Sequence, residues 1–302
     1  MSQDQPQEMH WTIDGLRIAG LAWGEPSAPP VLALHGWLDN ANSFAVLAPL
    51  LEGHYVVAID LTGHGQSDRR SADATYNVWD DLPQILGVID ALGWKQCDLV
   101  GHSRGGIIAT LFAAAKPDRI KKLVLLDALI PEPVEESIAP DQLGRFLDDR
   151  LRLMARDDRV LPDLESAAMA RVRRGLDEDA ARLLTSRAVA HSEHGVRWTS
   201  DPRLYGASAS KLTAGQVAAV LGAIKAPVLV LLAEQGHARH PELLAMAREH
   251  LKNFESATLP GCHHFHMLES APDIAPVSYT HLRAHETALR IAYAVFCLKK
   301  GG

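Results

Sequence analysis

The stretch Cys97-Asp98-Leu99-Val100-Gly101-His102-Ser103-Arg104-Gly105-Gly106-Ile107-Ile108 decides the fold of this 302-residue chain. A short apolar run leads straight into Gly-x-Ser-x-Gly, and helix-forming residues continue through Ala115. That order reads as strand, tight turn, helix. Small residues on both sides of Ser103 permit the strained turn that lifts a serine hydroxyl above a sheet. A hydroxyl is a weak nucleophile at neutral pH, so Ser103 needs a neighbouring base and donors for a developing oxyanion.

Working outward, strand-like and helix-like segments alternate from residue 9 to 275. Met9 to Trp23 reads as an opening hairpin, and Val31–Leu34, Tyr55–Ile59 and Ile120–Leu126 are short apolar runs suited to strands buried on both faces. Leu82, Ile85, Leu86, Ile89 and Leu92 recur at helical spacing before Gly93, a helix stop. The alternation predicts an α/β fold with a mostly parallel sheet and helices on both faces. From Pro131 to about Val220 the pattern is charged, helical and without a strand, which predicts a helical cap over the site. Pro227–Leu232, a helix from Pro241 to Leu251, a strand Ala257–Leu259 and a helix from Ser270 resume the core. The expected division is a core of residues 1–130 and 221–275, a cap of 131–220, and a tail of 276–302.

At 47% hydrophobic and 22% charged, the chain can bury one large core. The formal charge of −7 argues against a nucleic-acid partner, which needs a basic surface. No run of eighteen apolar residues occurs and the polar start lacks a secretory apolar core, so no membrane partner and a cytoplasmic location are expected. Cys97, Cys262 and Cys297 are too scattered for a disulfide framework or paired metal-ligand spacing. No cofactor or metal is expected.

Leu34-His35-Gly36-Trp37, Asp60 to Asp68 with Gly63-His64-Gly65, and Gly101 to Gly105 occur in the order of the α/β-hydrolase superfamily, which this chain resembles. His35 to Phe44 and Trp198-x-x-Asp201-Pro202-Arg203-Leu204 look like the serine hydrolase-like branch. The resemblance covers roughly residues 9 to 275 and implies an α/β-hydrolase fold with a helical cap. It implies a serine hydrolase of the esterase type, attacking a small-molecule carboxylic ester or similar acyl substrate through an acyl-enzyme. The oxyanion donors would be the backbone N–H groups of Trp37 and Arg104, with the Trp37 side chain and His102 at the substrate pocket.

The base should follow the last strand, where His263, His264 and His266 compete. The pattern of the fold puts the catalytic histidine before an apolar or aromatic residue and five before a glutamate. That selects His264, five before Glu269, and leaves His263 and His266 as flanking residues. The acid departs from the commonest pattern, because Gly236 stands where most relatives carry an aspartate. Asp127, at the end of the strand before the cap, is the preferred acid, as in the serine hydrolase-like branch. Glu234 is the alternative, and a dyad without an acid remains open. Gly236 also motivates a competing reading, a catalytically impaired ligand-binding protein. His64 is expected as a turn residue, and Asp201 with Arg203 as a lock on the cap.

Residues 277–302 resemble a translated sequencing adapter: Val277 to Thr287 back-translate into one with Pro276 supplying the preceding bases. The final native helix is therefore expected to be cut off near residue 275.

Overall fold

Alternation within the strands builds the core, because successive side chains of a strand point to opposite sides of a sheet. In the computed structural model, which describes residues 5–155, 160–237, 241–268 and 270–283, the hairpin β1 (Gln7–Ile13) and β2 (Leu16–Trp23) opens the chain. It is followed by β3 (Pro30–Leu34), β4 (Tyr55–Ile59), α1 (Leu82–Ala91), β5 (Cys97–His102), α2 (Arg104–Ala115) and β6 (Ile120–Leu126). After the cap come α6 (Ala214–Ala223), β10 (Val228–Gln235), α7 (Pro241–His250), β11 (Phe254–Cys262) and α8 (Ala271–Arg283). The eight strands run in the order β1-β2-β4-β3-β5-β6-β10-β11. The pairs β1/β2 and β2/β4 are antiparallel and the remaining five are parallel.

Two apolar layers result. Leu32, Leu34, Leu99, Leu123 and Val230 face α1, α2, α6 and α7, meeting Ile85, Ile108, Phe112, Val217 and Leu243. Their neighbours Val31, Ala33, Val100, Val124 and Leu229 face the other way, onto Phe44, Leu47 and α8. This is the α/β-hydrolase architecture expected from the sequence, with helices on both faces of a mostly parallel sheet.

The segment between β6 and α6 differs from the all-helical expectation. Helices α3 (Ala139–Met154), α4 (Leu164–Val172) and α5 (Glu178–Thr185) are joined by an antiparallel sheet of β7 (Val160–Leu161), β8 (Val189–Ser192) and β9 (Gly195–Trp198), in the order β7-β9-β8. The strands are two to four residues long, too short to show an alternating period among charged neighbours. Helix α6 sends Val217 and Leu221 into the core, so core packing resumes before residue 221.

At the other end, α8 runs through the first residues of the adapter-like segment, as far as Arg283. Val277, Ser278, His281 and Leu282 are buried there, the Ser278 hydroxyl without a hydrogen-bond partner among the described residues. Burial lowers the His281 pKa to about 4. Residues 284–302, most of the tail, lie outside the described residues, as does Glu269.

Candidate active site

Ser103 is the first residue after β5 and has φ 49° and ψ −120°, a conformation that strains any side-chain-bearing residue by about 1–3 kcal/mol. Surrounding packing over-determines it. A Cβ on Gly105 would meet the carbonyl oxygens of Leu34 and His35, so only glycine lets α2 start this close to β3. The Ser103 N–H donates to Leu126 O at 3.1 Å, tying the turn to β6.

Asp127 is the first residue after β6, with φ 40° and a nearly inaccessible side chain. Its Oδ1 accepts from the Ala233 N–H at 3.1 Å, and its Oδ2 from the His237 N–H at 2.8 Å. Oδ2 also lies 2.5 Å from His263 Nδ1. Burial alone would raise the carboxyl pKa, but the His263 hydrogen bond and the two backbone donors outweigh it and hold Asp127 below the usual carboxylate range. Gly236 is explained by the same geometry, because a Cβ there would fall on the Asp127 carboxylate. The place usually held by an aspartate is empty of side chain because an aspartate reaches it from the neighbouring strand.

The histidine paired with Asp127 is therefore His263 and not His264, which corrects the sequence expectation. His263 is the first residue after β11, as Ser103 and Asp127 are the first after theirs. His264 points elsewhere, its Nε2 3.7 Å from Asp39 Oδ2, and burial lowers its pKa to about 4. The glutamate spacing misled because it counts back to the second residue of the turn. Counting from the end of the strand would have found His263. Glu234, the alternative acid, is exposed at the end of β10. No hydrogen bond joins Ser103 Oγ to His263 among the described residues, a contact that is often loose before substrate binds.

His102 is fully buried and so is not a pocket residue, contrary to expectation. Its Nε2 donates to His263 O at 2.9 Å, bracing the turn that carries His263. His266 is also fully buried, with ring centroids 4.2 Å from His102, and burial holds its pKa well below the ordinary value. His64 is a buried turn residue between two glycines of positive φ, with Nδ1 donating to Thr62 O at 3.0 Å.

The backbone N–H of Arg104 opens α2, where first-turn amides have no intrahelical acceptor. The Arg104 guanidinium is turned away, donating to Tyr76 O at 2.7 Å. The Trp37 side chain is 47% exposed; its Nε1 donates to Leu204 O of the cap at 2.8 Å and its ring packs edge-on against Tyr205. It thus both meets the cap and lines a cavity of about 450 Å³. Trp198, Tyr205, Arg171, His263 and His264 line the same cavity, and the half-buried Ser103 sits outside that lining. Arg171, not singled out from sequence, donates to Leu38 O at 2.9 Å and lies 5.0 Å over the Trp198 ring. Arg203 pairs with the buried Asp201 at 2.7 Å and donates to the carbonyls of Arg70, Ser71 and Ala74, tying the turn Pro202–Tyr205 to the loop after β4.

The profile of the alpha/beta hydrolase fold family matches residues 29–270. A serine hydrolase-like protein of Dictyostelium discoideum is 31% identical over 84% of this chain and 75% of its own length. A hypothetical protein of Pseudomonas aeruginosa PAO1 superposes with TM-score 0.87 and 38% identity, covering 93% of this chain and 99% of its own. The thioesterase domain from the curacin biosynthetic pathway superposes with TM-score 0.80 at 29% identity, covering 91% and 99%. With a strained serine between β5 and α2, a match over most of its length and these relatives, the chain belongs to the α/β-hydrolase family.

Proposed function

We propose that this protein is a serine hydrolase of carboxylic esters or similar acyl substrates, with Ser103 as nucleophile, His263 as general base and Asp127 as the acid. The observation that carries this reading is the 2.5 Å Asp127–His263 pair, formed at the carboxyl ends of β6 and β11 in the parallel sheet whose β5 presents Ser103 at its own carboxyl end. Asp127 fixes the imidazole with Nδ1 protonated, leaving Nε2 to take the Ser103 proton as the hydroxyl attacks the carbonyl. The N–H groups of Trp37 and Arg104 donate to the oxyanion, and a lost donor of this kind costs about 3 kcal/mol elsewhere. His263 returns the proton to the leaving group, and water then resolves the acyl-enzyme. Relatives called serine hydrolase-like and the thioesterase neighbour support acyl chemistry. The Asp127 carboxylate fills the space left by Gly236, which supports the hydrolase reading over that of an impaired ligand-binding protein.

A fluorophosphonate probe should label the intact protein at Ser103 and fail on Ser103→Ala, with p-nitrophenyl acetate turnover lost in parallel. An unlabelled wild type beside a labelled control esterase would reject the proposal.

A further inference from the structure

Behind His263 lies a second group of side chains that the hydrolytic chemistry leaves unused. His102 Nε2 faces the His263 carbonyl, which can only accept, so Nε2 carries the proton and Nδ1 of the neutral ring is a bare lone pair. Nδ1 looks at Asp39 Oδ2 from 3.5 Å, and His264 Nε2 lies 3.7 Å from the same oxygen. Both His102 Nδ1 and Asp39 Oδ2 are buried without a hydrogen-bond partner among the described residues. Two acceptors facing each other across a buried gap repel unless a cation stands between them.

A proton on His102 Nδ1 is one such cation, but the 3.5 Å to Asp39 Oδ2 is long for the hydrogen bond it would make. A metal ion is the other. Donors held about 2.0–2.2 Å from a tetrahedral ion stand about 3.3–3.6 Å apart, close to both separations. They are too long for good hydrogen bonds. One nitrogen each of His102, His263 and His264 also lies within 4.8 Å of the others. Gly36 presents no side chain here: a Cβ would lie 2.7 Å from Asp39 Oδ2 and 2.8 Å from His102 Nδ1. Asp39 and His264 line the cavity, which gives an ion a route in.

We infer that Asp39, His102 and His264 form a binding site for a divalent transition-metal ion, of which Zn²⁺ is the best fit, and that its occupation inhibits hydrolysis. Imidazole nitrogens with one carboxylate select Zn²⁺ or Co²⁺ over Mg²⁺ or Ca²⁺, which prefer all-oxygen sites. A ring nitrogen of His263 lies within 4.8 Å of ring nitrogens of His102 and His264, so an ion held beside them lowers the availability of the His263 imidazole for the serine proton. This inhibitory consequence rests on the proposed hydrolase activity; the binding itself does not.

The test is titration of metal-free, full-length protein with Co²⁺, read by its visible d–d absorption, with Zn²⁺ competition giving the Zn²⁺ affinity. Wild type should show the intense bands of a four-coordinate ion, displaced by one equivalent of Zn²⁺. His264→Gln and Asp39→Asn should each weaken binding at least about 100-fold, more than the 10–100-fold loss seen when an outer-shell partner is removed. Should Asp39→Asn fail to fold by circular dichroism, His264→Gln on the partly exposed turn decides alone. Zn²⁺ should inhibit ester turnover reversibly, with chelator restoring it and His264→Gln needing correspondingly more metal. Absence of Co²⁺ bands, or binding unchanged in the variants, overturns the proposal and leaves a proton as the cation in the gap. If Ser103 is not labelled by fluorophosphonate while Co²⁺ still binds, the hydrolase reading fails and the metal site stands.

Discussion

At the residue scale, one step of sequence separates two histidines that differ in everything the chemistry requires. His263 lies one residue past β11 and meets Asp127; His264 lies one residue further and faces Asp39. His263→Gln should lower kcat/KM by about 10⁴-fold or more, the scale of triad losses elsewhere, while His264→Gln lowers it far less. Steady-state kinetics on one ester, with folding checked by circular dichroism, would reverse the assignment if His264→Gln showed the larger loss. Burial lowers the His264 pKa to about 4, so a base at that position would keep activity level down to about that pH. An acid limb near neutrality therefore points away from His264.

At the element scale, the segment between β6 and α6 is held to the core by many polar ties and a small apolar contact of Ala180 and Leu184 with Met267, and the turn at Asp201 gathers several of the polar ones. Asp201 caps the 3-10 turn Pro202–Tyr205, takes a hydrogen bond from Tyr76 at 2.8 Å, and pairs with Arg203. Its N–H donates to Gly63 O at 2.9 Å, in the loop after β4. Asp201→Ala leaves Arg203 without its counter-charge among backbone carbonyls, a loss of about 3 kcal/mol where such a pair is buried. Limited proteolysis should then cut within the cap faster than in wild type while the core fragment resists. Equal protection of both segments would show that the turn does not hold the cap. Arg187 adds a further tie, its Nε 2.9 Å from Asp60 Oδ2 in the core and its Nη1 2.6 Å from Glu8 on β1.

At the scale of the whole molecule, buried neutral histidines couple stability to pH. Burial lowers the pKa values of His35, His64 and His264 to about 4 against an ordinary value of 6.5. Between those values the unfolded chain binds protons that the native state refuses, so the unfolded state gains as pH falls. Asp127 and Asp201, held below the usual carboxylate range despite burial, extend the loss to lower pH as they are protonated. Tm should be steady above about pH 7 and fall progressively from about pH 6.5 toward pH 4. A Tm that stays level across that window would show that these rings are solvated and protonated in the native state. Among the described residues no helix is long and apolar enough to cross a membrane.

The fold and the strained turn that carries Ser103 were legible in the amino-acid sequence because they depend on local signals. Apolar runs of strand length, helix-spaced apolar residues and glycines around Ser103 each act through neighbours in the chain. A carboxylate at Asp127 within reach of the histidine turn was legible as a preference, since Asp127 ends an apolar run, yet the reason for Gly236 was not. Two adjacent parallel strands must be superposed before the glycine is seen to leave room for the aspartate. Which histidine meets Asp127 was decided by tertiary structure alone, because the side on which a residue emerges depends on where β11 stops pairing with β10. The small cap sheet was hidden because its strands are too short to carry a period. The gap between Asp39, His102 and His264 was hidden because its groups come from three separate places, the loop after β3, the last residue of β5 and the turn after β11. Local sequence patterns set the elements and the nucleophile's turn; long-range strand register determined which polar side chains meet above them.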